Sequence, residues 1–159
     1  MAGAYFTVSA ATATLAAVPA FSAFTEEAYA SMRFAWTAGN PDGTLYRVLS
    51  STASDPLSPA GARVASSDTY NLSLSSAGLI PDTRYYFRAA AVNRNGVLTA
   101  YAPPEGRATL LRYATAAPAF GSVSESGVAF NFSANGNAYP GTLFRVLSST
   151  APNPLAPAG

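Results

Sequence analysis

Hydrophobic and polar residues alternate with a period of two along much of the chain, and the helical period of 3.6 residues is poorly represented. Met32, Phe34 and Trp36 fall on one side of an extended segment. Tyr46 and Val48 fall together on one side of the next segment. The same alternation gives two further sets, which are Tyr70, Leu72 and Leu74, and then Tyr85, Phe87, Ala89 and Ala91. Short strands separated by turn residues predict an all-β fold, specifically an antiparallel β-sandwich.

The chain contains a long internal repeat. The segment Gly43–Gly61 returns almost unchanged as Gly141–Gly159, at a spacing of 98 residues. A period of this length corresponds to one small domain, so the sequence predicts a window of a tandem array. Such an architecture favours a mechanical or display role over catalysis.

The stretch Leu79–Tyr85 has the pattern Leu-x-Pro-x-Thr-x-Tyr and is followed by Ala91-Val92-Asn93. This pattern resembles the end of a fibronectin type III domain, of the kind repeated in bacterial extracellular arrays. The resemblance implies that Tyr85 forms the tyrosine corner before strand F. It also implies that Trp36 is the buried tryptophan of strand B and that Tyr46 is the aromatic residue of strand C. A buried tyrosine needs a hydrogen-bond partner for its hydroxyl, and such a corner supplies a backbone group.

The predicted fold is a tandem array of antiparallel β-sandwiches of the fibronectin type III or immunoglobulin-like type, with one complete domain plus half of a second. The predicted core residues are Phe34, Trp36, Tyr46, Val48, Leu72, Leu79, Tyr85 and Phe87. The predicted boundaries are 1–16 for the tail of a preceding repeat and its linker, 17–110 for the complete domain, and 111–159 for strands A to C of the second domain. Within the first range, Tyr5–Val8 is similar to Leu98–Tyr101, which is expected to be the last strand of the complete domain.

The second copy contains only the first three predicted strands, so its hydrophobic side chains have no covering sheet. These residues are Val128, Phe130, Phe132, Phe144 and Val146. Two explanations follow from this pattern. Either the chain is an excerpt of a longer protein, cut out of phase with its domains, or a neighbouring chain completes the half-domain and a fibre grows.

The segment Ser50–Gly61 is rich in serine and proline. Because proline donates no ladder hydrogen bond, the prolines here suppress strand pairing. We expect an extended, exposed loop that shields a sheet edge from unwanted association.

Composition excludes several classes of function. The net charge is +1, and the sequence contains no cysteine, histidine or lysine. Disulfides, thiolate or imidazole metal sites and a Ser-His-Asp triad are therefore absent. No basic stripe for nucleic acid is present, and no apolar run reaches the roughly 20 residues of a membrane-spanning helix. We expect no enzymatic activity, no cofactor, no nucleic-acid partner and no membrane insertion.

Few residues are candidates for a binding site. Arg94-Asn95-Gly96 predicts a plain turn, because Asn-Gly readily adopts positive φ. The spacing of the carboxylates matches no calcium-binding loop, and their positions are typical of solvated turns. Asn71 and Asn131 each begin a glycosylation sequon on the outward face of a predicted strand, so both are possible attachment sites. The outward aromatic residues Tyr86, Tyr101, Tyr113 and Tyr139 are suited to stacking on a neighbouring domain or on a sugar.

Two functions fit these features. The first is a structural repeat of an extracellular or cell-surface fibre, sheath or filament protein, in which neighbouring repeats or copies of the same protein pack in series. The second is an adhesin or a carbohydrate-binding accessory module of a secreted protein, with glycans as partners. The fold hosts both roles, so the resemblance does not choose between them.

Overall fold

The computed structural model describes residues 13–62, 64–113, 119–138 and 140–150. In these ranges the chain forms nine β-strands, and no helix there is suited to crossing a membrane. The strands are β1 (Ala20–Thr25), β2 (Ser31–Thr37), β3 (Leu45–Ser51), β4 (Val64–Thr69), β5 (Ser73–Ala77), β6 (Arg84–Val92), β7 (Glu105–Ala108), β8 (Ala119–Ser124) and β9 (Gly127–Asn131). The predicted strand Tyr5–Val8 lies outside the described residues.

The first seven strands form two antiparallel sheets, and we call them the first unit. One sheet has the order β1-β2-β5, and the other has the order β4-β3-β6-β7. Strand order differs from chain order, because β5 returns to the sheet of β1 and β2 after β3 and β4 have formed the other sheet. The prediction of an all-β antiparallel sandwich is confirmed. No finding tests the predicted boundaries at residues 16 and 110, and these remain predictions.

The hydrophobic core lies between the two sheets of the first unit. Its buried members are Met32, Phe34, Trp36, Tyr46, Val48, Phe87, Ala89 and Ala91, and Leu79 and Tyr85 are partly buried against them. The alternation of β2 and β3 explains this burial, because successive side chains of a strand point to opposite faces. The two sheets are joined by the rings of Phe34 in β2 and Phe87 in β6, which stack with their centres 5.4 Å apart. Within β2, the ring of Phe34 also lies 5.5 Å from the ring of Trp36.

Leu72 does not lie in the core, contrary to the prediction. Its side chain is 48% exposed, whereas Leu74 packs against the core. Residues 70–72 form a bend before β5 begins at Ser73, and a bend interrupts the alternation of faces that the prediction extended backwards from Leu74. The backbone of Leu72 still pairs, since its carbonyl accepts a hydrogen bond of 3.0 Å from the N–H of Trp36.

The last strand of the first unit also differs from the prediction. The expected strand Leu98–Tyr101 forms no regular ladder with β6. Leu98 makes a bridge to Val92, the Thr99 N–H donates to the Ala91 carbonyl at 2.8 Å, and the Ala91 N–H donates to the Thr99 hydroxyl at 3.0 Å. Two consecutive prolines, Pro103 and Pro104, then interrupt the pairing because they donate no ladder hydrogen bond. Regular pairing with β6 resumes only at β7.

The serine- and proline-rich loop is folded rather than extended. Its backbone makes two turns, closed by the Ser58 N–H on the Asp55 carbonyl and by the Ala62 N–H on the Pro59 carbonyl. Pro56 is buried, while most of the loop is exposed. The Asp55 carboxylate accepts a hydrogen bond of 2.8 Å from Arg88 in β6, which fastens the loop to the sheet.

The second copy forms a two-stranded hairpin of β8 and β9, with Phe120 paired to Phe130. Its expected third strand is not formed in the described part of residues 141–150, although the sequence repeats that of β3. In the first unit β3 is hydrogen-bonded on both sides, by β4 and by β6. The described residues of the second copy provide no counterpart for either partner. Its apolar side chains are correspondingly exposed, by 71% at Phe120 and 58% at Val128.

Candidate junction between successive units

The first unit and the second copy meet through loops at one end of the sandwich. We call the surface formed by 28–29, 80–83 and 109–110 the tail pole of the first unit. We call the described part of the loop that follows β9, residues 133–138 and 140–142, the head loop of the second copy. Residues 109–113 form the linker, and its first two residues, 109–110, are also part of the tail pole.

The tail pole is held by hydrogen bonds among its own residues. The hydroxyl oxygen of Tyr85 accepts a hydrogen bond of 3.0 Å from the backbone N–H of Ile80, which is the geometry of a tyrosine corner. Thr109 is only 4% exposed, and its hydroxyl donates to the Ile80 carbonyl at 2.7 Å and accepts from the Thr83 N–H at 3.1 Å. These contacts make the corner and the start of the linker one structure.

Two hydrogen bonds join the tail pole directly to the head loop. The hydroxyl of Thr142 lies 2.6 Å from a carboxylate oxygen of Asp82, and the N–H of Ala138 donates to the Pro81 carbonyl at 3.2 Å. Asp82 has a φ of 51°, a left-handed conformation that aspartate adopts more readily than most residues. Two adjacent residues of the tail pole thus bond the second copy, Asp82 through its carboxylate and Pro81 through its carbonyl.

The linker is bound from both sides. On the side of the first unit, the Leu110 N–H donates to the Ala28 carbonyl at 3.0 Å and the Leu110 carbonyl accepts from the Asp82 N–H at 3.3 Å. On the side of the second copy, the carboxamide of Asn137 bonds both the N–H and the carbonyl of Arg112, each at 2.7 Å. The guanidinium of Arg112 lies 4.4 Å from the centre of the Tyr29 ring, in cation–π contact.

An open cavity of about 1120 Å³ lies beside this junction, lined by residues of both units. Its apolar lining comes mainly from Leu110, Leu111, Leu143 and Phe144. In the described part of the chain, no three acidic, histidine or cysteine side chains are grouped so as to hold a metal ion. The junction therefore offers packing and hydrogen bonding.

Charged pairs on the sheets of the first unit are separate from the junction. Arg47 in β3 donates two hydrogen bonds, of 2.9 and 2.8 Å, to the carboxylate of Asp68 in β4. These bonds lower the pKa of Asp68 and raise that of Arg47. The pKa of Asp55 is also lowered, chiefly by the backbone N–H of Leu57, and burial raises the pKa of Tyr101. Each pair joins neighbouring strands or a loop and strand, which is typical of a structural role.

The candidate sites from the sequence lie apart from one another. Asn71 is exposed in the bend before β5 rather than on a strand, and Asn131 is exposed at the end of β9. Arg94-Asn95-Gly96 lies in a turn in which Gly96 has a φ of 77°. Tyr113 is 89% exposed, Tyr86 is partly buried with Arg84 5.8 Å from its ring centre, Tyr101 is partly buried, and Tyr139 lies outside the described residues.

Sequence reasoning missed the residues that form the junction, namely Asp82, Asn137 and Thr142. The sequence does contain one signal that points to the junction. Ala13-Thr14-Leu15 recurs as Ala108-Thr109-Leu110, so the motif that begins the linker recurs near the start of each copy, although not at the 98-residue spacing of Gly43 and Gly141.

Comparison with solved structures identifies the fold. The fourth fibronectin type III domain of a human protein matches with a TM-score of 0.52 and 14% identity, over 70% of this chain and 94% of that domain. A fibronectin type III domain from another human protein matches with a TM-score of 0.50 and 15% identity, over 69% of this chain and 85% of that one. No protein-family model and no curated protein matches the sequence.

Proposed function

We propose that this chain, which carries a sandwich of the fibronectin type III fold, is a non-catalytic structural repeat of an extracellular or cell-surface fibre, sheath or filament protein. Its action is the serial packing of one sandwich on the next. Its partners are neighbouring repeats or other copies of the same protein. The fold alone does not specify this role, so the support comes from the junction.

The observation that carries the proposal is the contact between the two copies of the repeat. A repeated sequence with a spacing of 98 residues and a hydrogen-bonded head-to-tail contact is what a serial array requires. In a heterologous contact of this kind, different surfaces of the two copies meet, and addition of further copies continues in one direction. Flexible tethering of the units would need no such contact.

Electron microscopy of the native material tests the proposal. We expect filaments with a regular axial repeat of about one sandwich length for each copy of the sequence. Class averages would also show whether the second copy is completed by its own chain or by a neighbouring one. Separate beads joined by flexible segments would contradict serial packing.

A glycan-binding module is the second candidate, and the exposed rings of Tyr113 and Tyr70 are the observation in its favour. Their side chains are 89% and 68% exposed, and exposed aromatic rings are suited to stacking on sugars. Saturable binding on a glycan array, lost in Tyr113→Ala or Tyr70→Ala, would support this function. An array without binding, together with regular filaments, would leave only the structural role.

A further inference from the structure

Two asparagines at equivalent places bind a linker in the same way. The Asn40 carboxamide accepts a hydrogen bond from the Ala17 N–H at 2.6 Å and donates to the Ala17 carbonyl at 2.9 Å. The Asn137 carboxamide makes the same pair of bonds with Arg112. We infer that Asn40 and Asn137 are positioning residues that fix each sandwich unit to the linker entering it, an inference that deepens the proposed structural function.

Both asparagines bind the linker at the same place in its repeated motif, although they lie 23 and 25 residues after the residue they bind. Asn40 follows β2, and Asn137 follows β9, which is the corresponding strand of the second copy. The bonded residue is in each case the second one after the leucine of the repeated Ala-Thr-Leu, Ala17 after Leu15 and Arg112 after Leu110. The arrangement therefore recurs in two parts of the chain whose linker side chains differ.

The chemistry of the carboxamide explains why an asparagine is used. Asparagine carries a donor and an acceptor on one planar group, so it can satisfy the N–H and the carbonyl of one residue at once. Two simultaneous bonds fix both the position and the rotation of the linker backbone. Because only backbone atoms are bound, Ala17 and Arg112 serve equally well. Asn137 is 5% exposed, so its loss leaves backbone groups unpaired in a place that water reaches poorly.

The bonds leave little freedom between the units. Thr109 and Leu110 are held by the first unit, while Arg112 and Tyr113 are held by Asn137 and Asn135. Among residues 109–113, only Leu111 has no hydrogen bond to either side. Free rotation within the linker is thus confined to Leu111, and Asn137 holds the second copy to the linker beside the direct bonds from Asp82 and Pro81.

Amide hydrogen exchange on the full chain tests the two contacts. We expect the Ala17 amide to exchange about tenfold faster in Asn40→Ala, and the Arg112 amide about tenfold faster in Asn137→Ala, as for loss of one hydrogen bond. Asn137→Asp keeps an acceptor for the Arg112 N–H but loses the donor to its carbonyl. It should retain more of the protection than Asn137→Ala. Asn95→Ala, an asparagine in an exposed turn, is the matched control and should leave both amides unchanged.

The orientation is tested by ¹⁵N relaxation on the same variants. In the wild type the amides of β2 and β9 should share one rotational correlation time, and in Asn137→Ala the amides of β9 should tumble faster. Unchanged exchange at Ala17 and Arg112, or one shared correlation time in Asn137→Ala, would overturn the inference.

The Ala17 measurement involves only the first unit, so it stays informative if Asn137→Ala unfolds the hairpin. Failure of the native protein to form filaments, with these contacts intact, would refute the proposed function alone.

Discussion

Tyr85 and Ile80 close the corner of the first unit, with the tyrosine hydroxyl 3.0 Å from the backbone nitrogen of the isoleucine. Tyr85→Phe removes the acceptor and keeps the ring, which packs against the core. We expect a loss of about 1–2 kcal/mol in the free energy of unfolding. Urea denaturation of the full chain, followed by circular dichroism, measures the change. Tyr86→Phe is the control, because it removes a hydroxyl from the adjacent residue without touching this bond, and an equal loss in both variants would contradict the assignment.

Trp36 has a buried indole N–H with no hydrogen-bond partner among the described residues. Trp36→Ala should cost about 3–5 kcal/mol of unfolding free energy, because it leaves a cavity in the core. Trp36→Phe should cost only about 1–2 kcal/mol, because it keeps a ring and removes an unpaired polar group. The second copy has Phe132 at the matching position. Chemical denaturation followed by far-ultraviolet circular dichroism compares the variants, and equal losses would contradict the expectation that a phenyl ring preserves most of the packing.

The Arg47–Asp68 pair should make stability depend on pH at the acidic end. A carboxyl whose pKa is lowered in the folded state contributes stability above its unfolded pKa of about 4, and this is lost as the pH falls through the folded pKa. Both side chains are about two-fifths exposed, so the loss should be small. The difference in urea midpoint between the wild type and Asp68→Asn should therefore shrink below about pH 4. Parallel curves for the two proteins would show that this pair does not contribute.

Arg88 should control the stability of the serine- and proline-rich loop. Its side chain is 15% exposed, and it donates to the Ala102 carbonyl at 2.6 Å as well as to Asp55. Arg88→Met keeps much of the apolar stem and releases the loop, so we expect faster proteolysis between β3 and β4. Arg33→Met is a matched control, because its partner Glu26 is exposed and lies elsewhere. Mass spectrometry of the fragments locates the cleavage, and equal rates in the two variants would contradict the role of Arg88.

The sandwich was predictable from sequence because each strand encodes its own buried face. Phe34, Trp36 and Phe87 belong to uninterrupted strands, where a period of two is sufficient to orient the side chain. The prediction that Leu72 is buried was wrong for a local reason, because the bend before β5 interrupts the alternation of inward and outward side chains. β7 starts late because Pro103 and Pro104 donate no ladder hydrogen bonds. The sequence shows these prolines, but it does not show that pairing with β6 resumes after them.

The junction was not predictable in the same way. Asn137 and Arg112 are 25 residues apart, and Thr142 and Asp82 are 60 apart, so no local pattern relates them. An asparagine in a loop is ordinarily explained by turn formation. Only the folded chain shows that a carboxamide there binds a linker, and that Asp82 in a left-handed conformation faces a threonine of the next copy.

The burial of Thr109 has a mechanical consequence for a repeat under tension. A pulling force transmitted through the linker reaches Leu110 and Thr109 before it reaches β7, and Thr109 is anchored to Ile80 and Thr83 at the stiffened corner. The load is thus passed to β6, which has partners on both sides, while the short edge strand β7 is protected from being peeled away. Single-molecule stretching of Thr109→Val would show early lengthening if this anchor bears the load. The hydroxyl of one threonine then serves as the point at which tension enters the sandwich.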